Sequence, residues 1–312
     1  MLRHECQIVF PVRDYDLAAT LTSGQAFRWK YQAGAWEGAT GPHWVRLQSL
    51  ENGILAQTAE PVADWSWLGH YLQLEVDLNS ILLTFPDEPP MRAAIGACRG
   101  LRLLRQEPWE CLASFILSST KQIVQIQQIV ALLCERFGRP LIVPPGHEPV
   151  YSFPTADRLA AASEAELRAC KMGFRAPNLR ATAQAITEGA INLRSLPTRP
   201  VQEARGELVK LPGVGNKIAN CVLLFAYGFQ EAFPVDVWIL KALRQLYFPR
   251  RRPSPRRLLH FTATHFGPNA GYAQQYLFHY MRRAGGKAPL PRRPDLAPPQ
   301  EGLSLPSLPP VK

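Results

Sequence analysis

The sequence has little of what would place it in several common classes. No apolar run approaches the ~18 residues of a bilayer-spanning helix, and the opening Met1-Leu2-Arg3-His4-Glu5-Cys6 lacks the basic-then-apolar order of a secretory signal. The expectation is an intracellular protein without a membrane partner. The six cysteines, Cys6, Cys98, Cys111, Cys134, Cys170 and Cys221, form no C-x-x-C pair, which weighs against a zinc site and against a disulfide framework. The seven histidines include no pair at i, i+4, so a helix-borne metal site is not expected either. No metal and no cofactor is assigned. Acidic residues are in the minority, 25 against 35 Lys and Arg for a net charge of +10. That excess favours a polyanionic partner, with nucleic acid ahead of a membrane surface.

Apolar residues are plentiful, 46% of 312. The chain can therefore bury enough surface to offset the entropy of ordering, as two or three packed subdomains sharing a cleft. Over residues 1–95 the pattern is mainly strand. Phe27-Arg28-Trp29-Lys30-Tyr31 and Trp44-Val45-Arg46-Leu47 alternate in polarity, with hairpin points at Ala33-Gly34 and Asn52-Gly53. A small antiparallel sheet follows, closed by helical material around Trp65, Trp67, Leu68, Tyr71 and Leu72. From Glu107 the period changes to three and four. Pro108 opens one amphipathic helix, and Ile123, Ile126, Val130, Leu133 and Phe137 mark a second that stops at Gly138. Further helices are read over 157–167, 179–186, 201–210, 216–227, 238–247, 256–265 and 270–283, with Lys171–Arg175 a loop. Residues 96–287 form a helical domain on this reading, and the Pro-rich 288–312 is a disordered or extended tail.

The sharpest local signal is Leu211-Pro212-Gly213-Val214-Gly215-Asn216-Lys217 between two helices, spanning about 201–229. Such a hairpin leaves backbone N–H groups exposed at a helix start, where they can hold a phosphate; an ordinary turn between packed helices fits the same residues. Lys217 falls in the first turn, where the positive end of the helix disfavours a second positive charge, and a neutral lysine is a nucleophile. Downstream, Phe233-Pro234-Val235-Asp236 supplies a carboxylate at an expected N-cap. A lysine with a carboxylate suits a reaction that builds positive charge on a sugar carbon.

These residues resemble the helix-hairpin-helix, Gly/Pro/Asp superfamily of DNA glycosylases. Within it the chain is similar to the 8-oxoguanine DNA glycosylases, over roughly residues 5–285. The resemblance is carried also by Ser23–Trp29, His70–Leu74, Leu101–Ser119, Gly173–Ala176 and Gly271–Gln274. It implies an α+β protein, mainly helical with an amino-terminal antiparallel sheet, acting as a monomer on double-stranded DNA that contains oxidised guanine. It also implies bifunctional chemistry: Lys217 attacks C1′ and forms a Schiff base that permits β-elimination, and Asp236 stabilises the oxocarbenium-like state.

Position by position, the resemblance gives Gly24 a carbonyl that accepts the N7–H of the lesion, Cys221 and Phe278 a sandwich around the flipped base, and Gln274 its Watson–Crick edge, with Pro234 beside them. Lys217 and Cys221 share one helical face and would interact as a dipole. Phe174 and Arg175 match a wedge and a cation that contacts the orphaned base, with Thr120, Lys121 and Gln125 near the void. Gly213, Val214 and Gly215 form the phosphate-binding hairpin. Gln125 and Trp238 stand where vertebrate-type members carry an arginine and a histidine, so a broad tolerance for the base opposite the lesion is expected. An endonuclease III-like pyrimidine glycosylase shares the lysine and the aspartate, but no cysteine cluster follows Cys221. A non-catalytic hairpin protein would bind DNA without forming a Schiff base.

Overall fold

The computed structural model describes residues 5–119, 121–249 and 252–285. The Pro-rich tail, Thr120 and two of the arginines near 250 lie outside them. A five-stranded antiparallel sheet runs in the order β1-β5-β4-β3-β2. Its strands are β1 (Glu5–Pro11), β2 (Lys30–Gln32), β3 (Ala35–Thr40), β4 (His43–Leu50) and β5 (Gly53–Val62). Ala33 and Gly34 both have positive φ, the geometry that a two-residue hairpin turn requires. The second expected hairpin turns at Glu51-Asn52, with Gly53 already paired to Leu50. Gly53 is needed because an added Cβ would stand 2.4 Å from the Phe10 carbonyl on β1. A third hairpin, at Gly41-Pro42, and the strand β1 were not read from the sequence. The expected strand over Phe27–Tyr31 is shorter than its alternation suggested. Only Lys30 and Tyr31 of it pair with β3, because Arg28 turns away to Glu110 at 3.2 Å and to the Tyr151 carbonyl.

Around the sheet lie α1 (Leu17–Thr22), α2 (Ser66–Leu72), α3 (Leu78–Leu82) and α4 (Pro89–Cys98). The helical part continues with α5 (Pro108–Leu117), α6 (Ile123–Phe137), α7 (Ala156–Ala161), α8 (Glu164–Leu167), α9 (Ala176–Thr187), α10 (Val201–Val209), α11 (Asn216–Val222), α12 (Val237–Ala242), α13 (Pro255–Thr264) and α14 (Ala270–Arg283). The single helix expected over 157–167 is two, since Ser163 starts a new one with a capping box to Glu166. In place of the expected loop over Lys171–Arg175, a wide helical turn over Arg168–Met172, with Lys171 at φ 63°, runs into a tight one over Gly173–Arg175. A wide turn over Leu223–Tyr227 prolongs α11 to the expected end.

Two apolar cores result. One joins the inner face of the sheet, including Val45, Leu47, Ile54 and Ala56, to Trp65, Leu68 and Leu72 of the α2 region. The other is helical and takes in Met91, Leu112, Phe115, Ile129, Leu224, Phe225, Tyr272 and Tyr276. The extended segment 101–107 ties them together. Arg105 N–H donates to the Tyr71 carbonyl at 2.9 Å and Gln106 N–H to the Phe225 carbonyl at 2.8 Å. The Arg105 guanidinium caps the Leu224 carbonyl at 3.2 Å. All six cysteines are free thiols, and every one but Cys6 is buried.

Candidate active site

The hairpin between α10 and α11 is shaped by its own residues. Leu211 and Val214 are buried, and Val214 N–H donates to the Leu211 carbonyl at 3.1 Å. The Val214 amide is thus used within the turn rather than left exposed, which corrects the expectation for that residue; Gly213 and Gly215 do lie at the surface. Gly213 has φ +76°, and an added Cβ would stand 2.8 Å from Asn178. Conformation and space therefore both require glycine. Thr182 pins the Pro212 carbonyl at 2.9 Å.

Lys217 is half-buried in the first turn of α11. Its Nζ donates to Ser118 Oγ at 2.9 Å, and that hydroxyl donates onward to the Phe115 carbonyl at 2.7 Å. The Phe115 ring centroid lies 5.2 Å from Nζ, so the amine is held by a hydroxyl on one side and an aromatic face on the other. One helical turn on, Cys221 is buried. Burial pushes its thiol up to about 11, against the pull of nearby Lys217 and with the push of Asp236. It is a neutral thiol near pH 7, and its interaction with Lys217 is that of a dipole and not of an ion pair.

Asp236 is the N-cap of α12, accepting from Ile239 N–H at 2.8 Å. Burial raises its carboxyl above the ordinary carboxylate range, opposed by the Ile239 amide, the charge of Lys217 and the Trp238 amide. Pro234, two residues earlier, is buried. Asn220 of α11 holds the adjoining Phe233 carbonyl at 3.3 Å, which fixes the approach of this segment to the hairpin helix.

A second wall comes from Gly24 and α14. Gly24 has φ +80°, and a Cβ there would stand 2.7 Å from Ile123 Cδ1 and 3.4 Å from the Phe278 ring. Its neighbour Gln25 is a fully buried hub. Gln25 Nε2 donates to the Thr20 carbonyl at 2.9 Å and the Arg102 carbonyl at 2.8 Å, and Oε1 accepts from Leu104 N–H at 2.8 Å. Gln106 Nε2 holds the Gln25 carbonyl at 2.8 Å, and Gln275 of α14 holds the Ser23 carbonyl at 3.0 Å. The Gly24 backbone is thus clamped on both sides. Gln274 is 3% exposed, and its Oε1 has no hydrogen-bond partner among the described residues. Gly271 lets α14 press on the end of α11, since a Cβ there would meet Leu224 Cδ1 at 2.3 Å. Among the described residues no group of three His, Cys, Asp or Glu could hold a metal ion.

The residues expected at the opposite base and the void lie on the turns before α9 and at the start of α6. Phe174 is 62% exposed at the tip of its turn. Arg175 is 2% exposed, stacked 4.2 Å from the Phe174 ring centroid with Nη1 donating to the Met172 carbonyl at 3.3 Å. Arg175 packs inward, against the Phe174 ring and the Met172 carbonyl. Gln125 is exposed at the third position of α6, and its Oε1 accepts from Gln122 N–H at 3.1 Å in a capping box. Lys121 is half-buried, its N–H bonded to the Ser118 carbonyl at 3.3 Å. Thr120 lies outside the described residues.

Comparison with known proteins bears directly on this arrangement. The model of the 8-oxoguanine DNA glycosylase N-terminal domain matches residues 7–112, and that of the HhH-GPD superfamily base excision DNA repair proteins matches residues 113–264. The N-glycosylase/DNA lyase OGG1 of Arabidopsis thaliana is 32% identical over 295 residues, covering 86% of this chain and 79% of that protein. The chain belongs to the 8-oxoguanine DNA glycosylase family. The N-glycosylase/DNA lyase of Saccharomyces cerevisiae is 30% identical, covering 84% of this chain and 82% of its own length. An 8-oxoguanine glycosylase/lyase of Clostridium acetobutylicum, solved with double-stranded DNA containing cytosine opposite 8-oxoG, superposes with a TM-score of 0.82 at 29% identity. That superposition covers 89% of this chain and 98% of the Clostridium chain.

In this glycosylase three further side chains shape the site. Ser118 meets Lys217 from 99 positions away, a pairing that no local spacing signals. Gln25 stands within the Ser23–Trp29 stretch, yet its hub role depends on segment 101–107. Arg282 lies over Phe278 at the end of α14, where a cation in the last turn is ordinarily a helix-dipole partner.

Proposed function

We propose that the protein excises 8-oxoguanine from duplex DNA and then cleaves the strand at the resulting abasic site. The observation that carries this reading is the half-buried Lys217 amine, held at 2.9 Å by Ser118 and lying within the electrostatic reach of Asp236 and Cys221. Stacked in the duplex, C1′ is out of reach, so the nucleotide is extruded at a cost of a few kcal/mol. The base enters between Cys221 and Phe278. The Gly24 carbonyl accepts the N7–H that 8-oxoguanine has and guanine lacks; with guanine two acceptors face each other, and the mismatch leaves a buried polar group unpaired. The partnerless Gln274 Oε1 supports its assignment to the Watson–Crick edge.

The lone pair of Lys217 forms the C1′–N bond as the C1′–N9 bond breaks and its electron pair leaves with the purine. The attacking nitrogen then sheds a proton. Asp236 stabilises the positive charge that develops on the sugar, in a site where burial strengthens the interaction. Ring opening, with a proton to O4′, gives the Schiff base; loss of a C2′ proton then expels the 3′-phosphate. Gly213, Gly215 and the amides at the start of α11 hold a neighbouring phosphate. On this reading the sheet of residues 1–95 buttresses the Gly24 wall, and the helical domain over 96–287 carries the chemistry. A DNA-repair enzyme works where DNA is, so the protein acts inside the cell, on DNA.

Phe174 fills the vacated stack. Gln125 serves its own helix start, and Arg175 lies under Phe174, so recognition of the opposite base is broad. The test is cleavage of 8-oxoguanine paired with each of the four bases, alongside undamaged and pyrimidine-lesion duplexes. Excision confined to 8-oxoguanine and similar across partners is expected. A strong cytosine preference defeats the tolerance, and preference for a pyrimidine lesion defeats the substrate assignment.

A further inference from the structure

The Gly24 wall carries a cation for which the chemistry above has no use. Arg282, in the last turn of α14, is half-buried. Its guanidinium lies over the Phe278 ring, 5.5 Å from the centroid, and Nη1 stands 3.6 Å from where a Gly24 Cβ would be. A guanidinium has five N–H donors, yet Arg282 finds a single acceptor among the described residues, the Thr22 carbonyl at 3.2 Å. No carboxylate there comes within ion-pair distance of it. Arg28, by contrast, is matched by Glu110, and Arg105 by the Leu224 carbonyl and Gln73. Burial works against the charge of Arg282, while the field of Asp236 favours it. A half-buried cation with most of its donors unused, at the rim of a pocket, suits a partner that brings acceptors and negative charge.

We propose that Arg282 stabilises the departing oxidised purine, by holding Phe278 from one ring face and by setting a positive charge across that ring from the base as it leaves. The inference rests on the base-excision reading above and adds a residue to it. When the C1′–N9 bond breaks, its electron pair stays on the purine, and the negative charge spreads to the carbonyl oxygens of the ring. A fixed cation at that wall interacts more strongly with the leaving base than with the neutral nucleotide, which is the condition for accelerating the step. With one face of Phe278 covered by the guanidinium, the other is left for the base, so the ring is set before the base arrives.

A DNA phosphate could also use these donors, and the experiment separates the two. Single-turnover rates are measured for wild type, Arg282→Met and Arg282→Lys on a duplex carrying 8-oxoguanine and on the same duplex carrying a preformed abasic site. The phosphates are common to both substrates; only the base differs. Expected is a loss of about tenfold or more in excision for Arg282→Met, below the effect of a fully enclosed donor because the group is half exposed. Cleavage of the abasic site should stay within about twofold of wild type, which also shows that the variant is folded. Arg282→Lys should recover part of the loss. An equal loss on both substrates would make Arg282 a phosphate contact and overturn the proposal. Unchanged excision, or a lysine variant no better than methionine, would reduce the residue to packing and to the cap on α1, and would overturn it too. No excision by wild type would overturn this inference together with the function beneath it.

Discussion

Gln25→Leu probes how the Gly24 carbonyl is held in place. Leucine fits the volume but removes a hub whose every polar atom is used. Losing Gln25 Nε2 strips the Arg102 carbonyl of its partner at 2.8 Å, and losing Oε1 strips Leu104 N–H of its partner at 2.8 Å. The Thr20 carbonyl keeps the Ser23 hydroxyl at 3.2 Å. Two buried backbone groups are thus left unsatisfied. At ~1–3 kcal/mol each, and allowing for partial relaxation, the fold should lose about 2–4 kcal/mol. Because Ser23 and Gln25 flank Gly24, the carbonyl also loses its fixed direction, and the preference for 8-oxoguanine over guanine should fall. Urea denaturation gives the first quantity, and parallel single-turnover excision from the two duplexes gives the second. A stability loss under about 1 kcal/mol with an unchanged preference would refute the claim that this hub sets the specificity contact.

Other consequences follow from neighbouring groups. Asp236→Asn keeps an N-cap side chain of similar quality but removes the charge, so stability should change by less than about 1 kcal/mol while excision falls by about 100-fold; a loss of stability with activity intact would make Asp236 a cap alone. In wild type, burial lifts the Asp236 carboxyl, so the acid limb of the excision rate should fall above the ordinary carboxylate range; a limb at or below that range would contradict the burial effect. Burial, with Arg282 and Arg283 adding to it, depresses His279 from 6.5 to about 4. The unfolded chain therefore takes up a proton first as pH falls. This contribution to stability is complete above pH 6.5 and is lost toward pH 4, by about 3 kcal/mol. His279→Gln should flatten that part of a stability-versus-pH curve measured by thermal melting, and an unchanged slope would show that His279 is not its source.

Much of the fold was legible because its signals are local. Ala33-Gly34 announces a two-residue turn through its backbone preference, and Pro108, Gly138 and Asn216 bound helices by capping and period. Strand β1 escaped notice because it pairs with β5, in a register joining Pro11 to Gly53, and non-local pairing leaves little trace in either strand. At the site, Lys217 could be read from the hairpin and its following helix and Asp236 from the N-cap of α12, while Cys221 came with the family resemblance. Ser118 and the Gln25 hub could not, since each acts through contacts made only when distant segments fold together. Arg175 is a different case: the family resemblance gives it the orphaned base, whereas in the structure it lies against the Phe174 ring and the Met172 carbonyl.

The central claim, that the Lys217 amine becomes covalently joined to the sugar as the lesion leaves, is tested most directly by borohydride reduction during reaction with an 8-oxoguanine duplex. Peptide mapping by mass spectrometry then locates the DNA adduct. The structure predicts a trapped complex with the sugar fragment on Lys217, and none with Lys217→Gln despite retained DNA binding. An adduct on another residue, or full excision by the glutamine variant, would contradict it.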